Sequence, residues 1–344
     1  MRRRLLTLLA LCGLQAAIAQ QQPHYTQYVI NNYILNPAIS GIENYTDIKL
    51  SHRHQWAGAF NGDEPVTTYF TMHMPLGKKD YRTTATSFAM DGSNPRGKNY
   101  WEDYTAAAPH HGIGVKIIND RTGPLNRFGA YASYAYHLGI GPKTSLAAGF
   151  EVGMRNLTLN SSKLVFDPNN PIAVDPSVGN ATELNQFKPD FGAGLWLYSA
   201  NYFAGIAAQQ IIPQNVVFVD NTVTTETGKF VPHIFATAGY RFFVSEDISA
   251  IPSIMAKFVQ PTPTQVDLNM KFQWRDRFWA GAGYRFKDGF NAMLGLNVSN
   301  TFNFSYSYDY TTSRINTISR GTHEIVVGFI LGNKYGDWCP RNVW

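Results

Sequence analysis

Val266-Asp267-Leu268-Asn269-Met270-Lys271-Phe272-Gln273-Trp274 alternates without a break, apolar at the even positions and polar or charged at the odd ones. A period of two is that of a β-strand, whose successive side chains point to opposite faces. The pattern recurs. Leu146, Ala148, Phe150, Val152 and Met154 oppose Ala147, Gly149, Glu151, Gly153 and Arg155. Phe302, Phe304, Tyr306, Tyr308 and Tyr310 oppose Asn303, Ser305, Ser307 and Asp309. Near the end His323, Ile325, Val327, Phe329 and Leu331 share one face. A soluble sandwich would alternate too, with its apolar face inward. Three features favour a membrane barrel. The segments run ~10–13 residues, beyond the 5–6 common in soluble strands and near the ~9–11 of a tilted crossing. Several apolar faces end in aromatics, such as Trp274, Phe286 and Tyr310, as interfacial girdles do. The opposite faces are rich in Gly, Ala, Ser and Asn, which suits a crowded or narrow lumen.

Working outward, alternation marks strands at 46–57, 66–76, 111–119, 127–139, 144–157, 189–199, 201–212, 232–244, 247–259, 265–274, 277–287, 289–298, 300–310 and 322–332. Fourteen is an even number, as single-chain bacterial barrels require. The fold expected is a transmembrane antiparallel β-barrel of the bacterial outer-membrane type. Such barrels have short periplasmic turns and longer outer loops. Gly141-Pro142-Lys143, Ser199-Ala200-Asn201, Ser245-Glu246-Asp247, Arg275-Asp276-Arg277 and Ser299-Asn300 fit the periplasmic side. The connections 158–188, 213–231 and 311–321 fit the outer side. Two links break the trend. Lys287-Asp288-Gly289 is a tight outer link, and 77–110 is a long inner one, read as an insertion with a possible extra strand from Arg82 to Met90.

The composition agrees. The chain has 344 residues, of which 15% are charged and 14% aromatic, and its mean hydropathy is −0.22. Low charge against a soluble norm of roughly 25%, with abundant aromatics, argues against a disordered chain, and a mean hydropathy this low with no apolar run of ~18 residues rules out a helical membrane bundle. Residues 1–19 read as a secretory signal peptide: Arg2–Arg4, an apolar run Leu5–Leu14, and an Ala17-Ile18-Ala19 cleavage site. Its removal takes three of the 29 basic residues, leaving 26 against 24 acidic, a charge of +2 rather than +5. Nothing in that balance calls for nucleic acid. Cys12 leaves as well, so Cys339 stands alone and no internal disulfide forms. The mature chain divides into an N-terminal segment 20–45, the barrel 46–332 and a periplasmic tail 333–344.

Particular stretches then point to a family. Gln22-Pro23-His24-Tyr25-Thr26-Gln27-Tyr28 is followed by Leu35-Asn36-Pro37-Ala38-Ile39-Ser40-Gly41, then by Arg53-His54-Gln55-Trp56 and Asn119-Asp120-Arg121-Thr122-Gly123-Pro124. Late in the chain stand Tyr306-Ser307-Tyr308-Asp309-Tyr310-Thr311-Thr312-Ser313, Arg320-Gly321-Thr322-His323-Glu324-Ile325 and Cys339-Pro340-Arg341. This order resembles the PorP/SprF family of the type IX secretion and gliding machinery, over nearly the whole mature chain. The resemblance implies a non-enzymatic outer-membrane barrel. It implies as partners a large secreted adhesin with a type B C-terminal domain, and periplasmic components of the same apparatus. The alternative in a different class is a free-standing porin or small-molecule channel.

Candidate working surfaces follow. The segment 20–41, with Tyr25, Tyr28, Asn36 and Pro37, either plugs the lumen, docks a periplasmic partner or is a tether. The tail, with Tyr335, Trp338 and Trp344, either docks a partner or caps the lower rim; aromatic side chains in a short polar tail suit docking. The outer loops 158–188 and 213–231 are candidates for cargo contact. Glu151, Arg155, Asp267 and Lys271 are candidate lumen charges, forming ion pairs that fill the barrel or a constriction that selects ions. His52 with His54, and His110 with His111, lack the convergent ligand set of a metal site. His137 and His323 are placed on the lipid face or girdle. His323 and Glu324, adjacent on a strand, face opposite ways and cannot share a catalytic site. No cofactor motif is present.

Overall fold

The computed structural model describes residues 23–78, 105–160, 163, 183–216, 228–275, 277–299 and 301–332. In β1 (Thr46–His54), Asp47, Lys49, Ser51 and Arg53 turn inward and are buried, while Leu50 and His52 face out. The wall continues as β2 (Val66–Leu76), β3 (His110–Thr122), β4 (Leu125–Gly139), β5 (Ser145–Asn160), β6 (Glu183–Tyr198) and β7 (Tyr202–Gln209). A small hairpin of β8 (Gln214–Val216) and β9 (Gly228–Phe230) interrupts it. The wall resumes with β10 (His233–Tyr240), β11 (Phe242–Phe243), β12 (Ile248–Val259), β13 (Gln265–Trp274), β14 (Phe278–Arg285), β15 (Gly289–Asn297), β16 (Phe302–Thr311) and β17 (Thr322–Leu331).

All wall pairs are antiparallel. β1 pairs with both β2 and β17, and β10 with both β7 and β12, so the sheet closes on itself. β11 continues β10 past Arg241, and the barrel therefore has fourteen passes. Closure removes the unpaired strand edges that a lipid environment would leave unsatisfied. Among the described residues no helix is long and apolar enough to cross a membrane, and the crossing is made by strands.

The inside–outside alternation follows the sequence. On β13, Asp267, Asn269, Lys271 and Gln273 are buried, and Leu268, Met270, Phe272 and Trp274 are exposed. Outward aromatics gather at two heights. Trp274, Phe278 and Phe242 stand near the short turns, and Phe128, Phe187, Phe286, Phe290 and Tyr310 near the longer connections. Leucine, valine, isoleucine and methionine make up most of the band between them, with Phe150 and Phe191 among them.

The connections sort by end. Residues 140–144, 199–201, 244–247, 275–277 and 298–301 link strands at one end, where the long link 77–109 is the exception, and 55–65, 161–182, 210–232 and 312–321 at the other, where 123–124, 260–264 and 286–288 are short. Barrels of this type put the longer connections outside the cell. Two expectations need correction. β3 to β6 reach further toward the long-connection end than alternation reached, because polar rim residues hide the period while the ladder continues through Asp120↔Arg127 and Thr122↔Leu125. The β3–β4 link is therefore just Gly123-Pro124, with Gly123 at φ +56°. The stretch 213–231, read as an open loop, carries the β8–β9 hairpin. The extra strand at 82–90, the leader and the tail 333–344 lie outside the described residues.

Candidate functional site

Residues 23–45 run through the barrel interior. Tyr25, Tyr28, Val29, Ile30, Ile34 and Leu35 are buried against Tyr69, Phe235, Met255, Trp279, Met293 and Val326 of the wall. Lower down, Tyr33, Ala38, Ile39 and Ile42 pack on Ala147, Trp196, Tyr198, Phe203 and Ile251. Each buried aromatic or branched side chain contributes roughly 1.5–3 kcal/mol by leaving water. The hydrophobic core of the molecule thus lies inside the barrel. Part of the aromatic content expected at the lipid face sits here instead.

The segment winds in three short 3-10 turns: Gln27–Ile30, Asn32–Ile34 and Pro37–Ile39. Asn36 caps the third. Its side-chain oxygen accepts from the Ala38 N–H at 3.0 Å, and Pro37 takes the first helical position, where no N–H is needed. Thr26 lies beside Glu324 and Asp309 near the long-connection end, and Gly41 beside His73 and Gly112 near the short-turn end. The chain therefore descends the height of the lumen before turning up into β1.

The wall is built to receive it. Asn36 Nδ2 donates to the carbonyls of Leu195 and Ile206 at 3.0 and 3.3 Å. Gln209 Nε2 donates to Ile34 O and Leu35 O at 2.9 and 3.0 Å. Asn269 Nδ2 donates to the Tyr28 hydroxyl at 2.6 Å. Close approach needs glycine: a Cβ on Gly112 would stand 1.8 Å from the Ser40 carbonyl oxygen, and one on Gly149 2.6 Å from the Ala38 Cα. His137 Nε2 donates to the same Ser40 carbonyl at 2.8 Å, which leaves its Nδ1 to accept from the Tyr198 hydroxyl at 3.0 Å. His137 is thus a lumen residue, not the lipid-facing or girdle residue expected.

The upper half is held by charge. Arg53 donates to Glu324 Oε2 at 2.9 Å, to Asp309 Oδ2 at 2.7 Å and to the Thr26 hydroxyl at 2.8 Å. Thr26 in turn donates its N–H to Glu324 at 2.9 Å and its hydroxyl to Asp309 at 2.6 Å. Arg285 pairs with Asp267 at 3.1 Å and with Asp288 at 3.1 Å, and lies 3.7 Å from Asp309. Buried charges of this kind are tolerated when paired and hydrogen-bonded.

Glu151, Arg155, Asp267 and Lys271 all point into the lumen and are buried. The partners differ from those expected. Glu151 pairs with Lys116 at 2.8 Å, Arg155 with Asp190, and Asp267 with Arg285. Lys271 lies 6.0 Å from the Trp279 ring centre. Tyr25, Tyr28, Asn36 and Pro37 are enclosed by the wall, which in this conformation puts them out of a partner's reach. Tyr335, Trp338 and Trp344 fall outside the described residues. Sequence reading did not name Arg53, Lys116, Asp190, Arg285, Asp309 and Glu324 as lumen charges, although Arg53, Asp309 and Glu324 stand in the stretches that carry the family resemblance. Their inward phase was readable, but cross-strand partners depend on register, which one sequence does not reveal. Glu324 faces in, while His323 on the outer face meets the Tyr306 hydroxyl at 2.7 Å. His110 faces in and stacks on His137 at 4.5 Å. Among the described residues no group of three or more His, Cys, Asp or Glu is placed to hold a metal ion.

The family model described as type IX secretion system membrane protein PorP/SprF matches residues 17–329. The chain belongs to the PorP/SprF family. It is an outer-membrane β-barrel. Among solved structures, this PorP/SprF chain is similar to the Ralstonia pickettii toluene transporter TbuX, with 8% identity, TM-score 0.48, and 87% and 92% of the two chains covered. It is similar to the CymD monoaromatic hydrocarbon channel, with 9% identity, TM-score 0.47 and coverage of 87% and 91%. It is also similar to the Pseudomonas putida toluene transporter TodX, with 10% identity, TM-score 0.46 and coverage of 91% and 95%. A search of curated proteins finds no match.

Proposed function

We propose that this PorP/SprF protein is a non-enzymatic barrel of the type IX secretion and gliding machinery. On this reading it binds, exports or anchors a large cell-surface adhesin bearing a type B C-terminal domain. One observation carries the reading: the lumen is filled along its height by the chain's own residues 23–45, cross-linked to the wall by charge pairs and paired amides. A barrel closed in this way serves as a membrane-held scaffold whose two rims are its working surfaces. The long connections face the adhesin. The tail, with Tyr335, Trp338 and Trp344, meets periplasmic parts of the apparatus. The protein reaches its membrane through a leader cleaved near Gln20.

A mild-detergent pull-down with mass spectrometry tests this directly. One large secreted protein with a type B C-terminal domain should co-purify, and deleting the gene should remove that protein from the cell surface. In planar bilayers the purified barrel should stay at background conductance. A large, stable conductance with no co-purifying surface protein would instead make it a free-standing channel.

A further inference from the structure

The path of the plug decides which of its ends meets which side of the membrane. Thr26 hydrogen-bonds to Glu324 and Asp309 at 2.9 and 2.6 Å. Glu324 is two residues from the start of β17 and Asp309 two from the end of β16, so Thr26 already lies at the rungs beside the 312–321 connection. Pro23 comes three residues earlier in the chain. It stands with Tyr25 beside Asp120, Arg127 and Phe128, on the arms of β3 and β4 that meet at the tight Gly123-Pro124 link. Pro23 and His24 are half-buried, whereas 25–43 are buried throughout.

The other end is tied down at the opposite rim. A Cβ on Gly41 would stand 2.4 Å from the Gly112 Cα, and Gly112 is two residues from the start of β3. The Ile42 carbonyl accepts from Lys78 Nζ at 2.6 Å, past the last residue of β2. Tyr45 then leads straight into β1, whose first residue, Thr46, is paired with Leu331 at the end of β17. Between the two ends the lumen offers no second passage. Tyr69 and Val326 close on the plug from one part of the wall, and Phe235, Met255 and Trp279 from another. A second chain alongside would need ~4.7 Å of clear spacing even without side chains. Chain preceding Pro23 therefore cannot return to the periplasm through this lumen. A leader still attached would have to carry its apolar run, Leu5–Leu14, to the outer mouth.

We propose that the amino-terminal end of the plug, at Pro23, is presented to the cell exterior, and that it takes this place only after the leader has been removed. The proposal rests on the reading that the leader is cut near Gln20 and that the long connections face outward; it is independent of which protein is the cargo. Any partner that meets the start of the plug is then met on the surface side, and the periplasmic side meets its fixed end at Gly41 and Ile42.

The test places one reporter cysteine at a time in the full chain carrying Cys339→Ser, since Cys12 leaves with the leader. Cells are treated with a polyethylene-glycol maleimide too large to pass porin channels. Pro23→Cys, and Gln21→Cys as a second reporter nearer the start, should be labelled on intact cells, as should Ser313→Cys in the exposed outer connection. Glu246→Cys, exposed at a short turn, should react only after the outer membrane is permeabilised. Heat-modifiable migration checks that each variant folds. Labelling of both amino-terminal reporters only after permeabilisation, in step with Glu246→Cys, would overturn the proposal and leave the barrel's orientation standing. Failure of both to react in the purified folded barrel would place that end inside the lumen and overturn it as well. If Glu246→Cys labels on intact cells and Ser313→Cys does not, the orientation and the proposal fall together. The intact mass of the purified protein checks the leader: a chain that keeps residues 1–19 and still labels at Pro23 would overturn the order of events.

Discussion

The two halves of the plug are held by different physics. Above, Arg53, Asp309, Glu324 and Thr26 form a buried, mutually hydrogen-bonded charge cluster. Below, Asn36 to Gly41 rests on a wall thinned by Gly112 and Gly149, and is fixed by neutral hydrogen bonds from Asn36 and His137. A charge cluster is strong only while complete, since losing one member strands the others in a poor solvent. A glycine seat is strong because nothing larger fits beneath it. The upper half should therefore be sensitive to the removal of atoms, and the lower half to their addition.

Removal at the top is the larger effect. Arg53→Met should cost about 3–5 kcal/mol, because Glu324 would be left buried without its cation and Asp309 with Arg285 alone, at 3.7 Å. The plug can escape that cost by leaving the lumen, so the variant should conduct in planar bilayers where the wild type is silent. Replacing all three charges, with Arg53→Met, Asp309→Asn and Glu324→Gln together, should restore most of the closure. If the triple variant conducts like the single one, the cluster specifies the plug's path by attraction and not merely by avoiding a stranded charge.

Addition at the bottom comes next. Gly112→Val places atoms where the Ser40 carbonyl stands, an overpacking expected to cost about 3 kcal/mol. Limited proteolysis should then cut the chain between Asn36 and Ile42 while the barrel keeps its heat-modifiable migration. The same substitution at Gly62, where a Cβ would meet nothing within 4 Å, controls for glycine replacement as such. Gly62 has φ +100°, so its variant measures backbone strain without overpacking.

The same division explains what the sequence made legible. Strands were readable because lipid enforces an apolar residue at every second position, as Leu268, Met270 and Phe272 show. Where lipid ends, as at Asp120 and Arg127, both faces are polar and the signal fades although the ladder continues. The lumen was harder to read. Gly, Ala and Ser on the inner faces announced crowding, but what crowds them is a segment with no period of its own, three 3-10 turns rather than a strand or helix. His137 carried no mark in its alternation, because an inward histidine among alanines and tyrosines on Leu125–Gly139 looks the same as an outward one until register is known. The β8–β9 hairpin was missed because three-residue strands are too short to alternate visibly.

Asn36 is where the smallest effect should separate the two modes of holding. Its oxygen serves the plug, capping Ala38, while its nitrogen serves the wall, reaching Leu195 and Ile206. Asn36→Ala removes both and should cost about 1–2 kcal/mol, the usual range for a lost cap with modest hydrogen bonds. Asn36→Asp keeps the cap acceptor but turns a carboxylate toward two carbonyls. If the wall contact matters more, Asp should be worse than Ala; if the cap matters more, it should be better. Urea titration of the refolded barrel, read by exposure of a cysteine placed at Ser40, ranks the two. Combined with Gly112→Val, either Asn36 substitution should add little, because a lower half already expelled from its seat has no contact with Leu195 left to lose. Full additivity would mean that Asn36 and the glycine seat hold the plug independently, and that the lower half is two contacts rather than one.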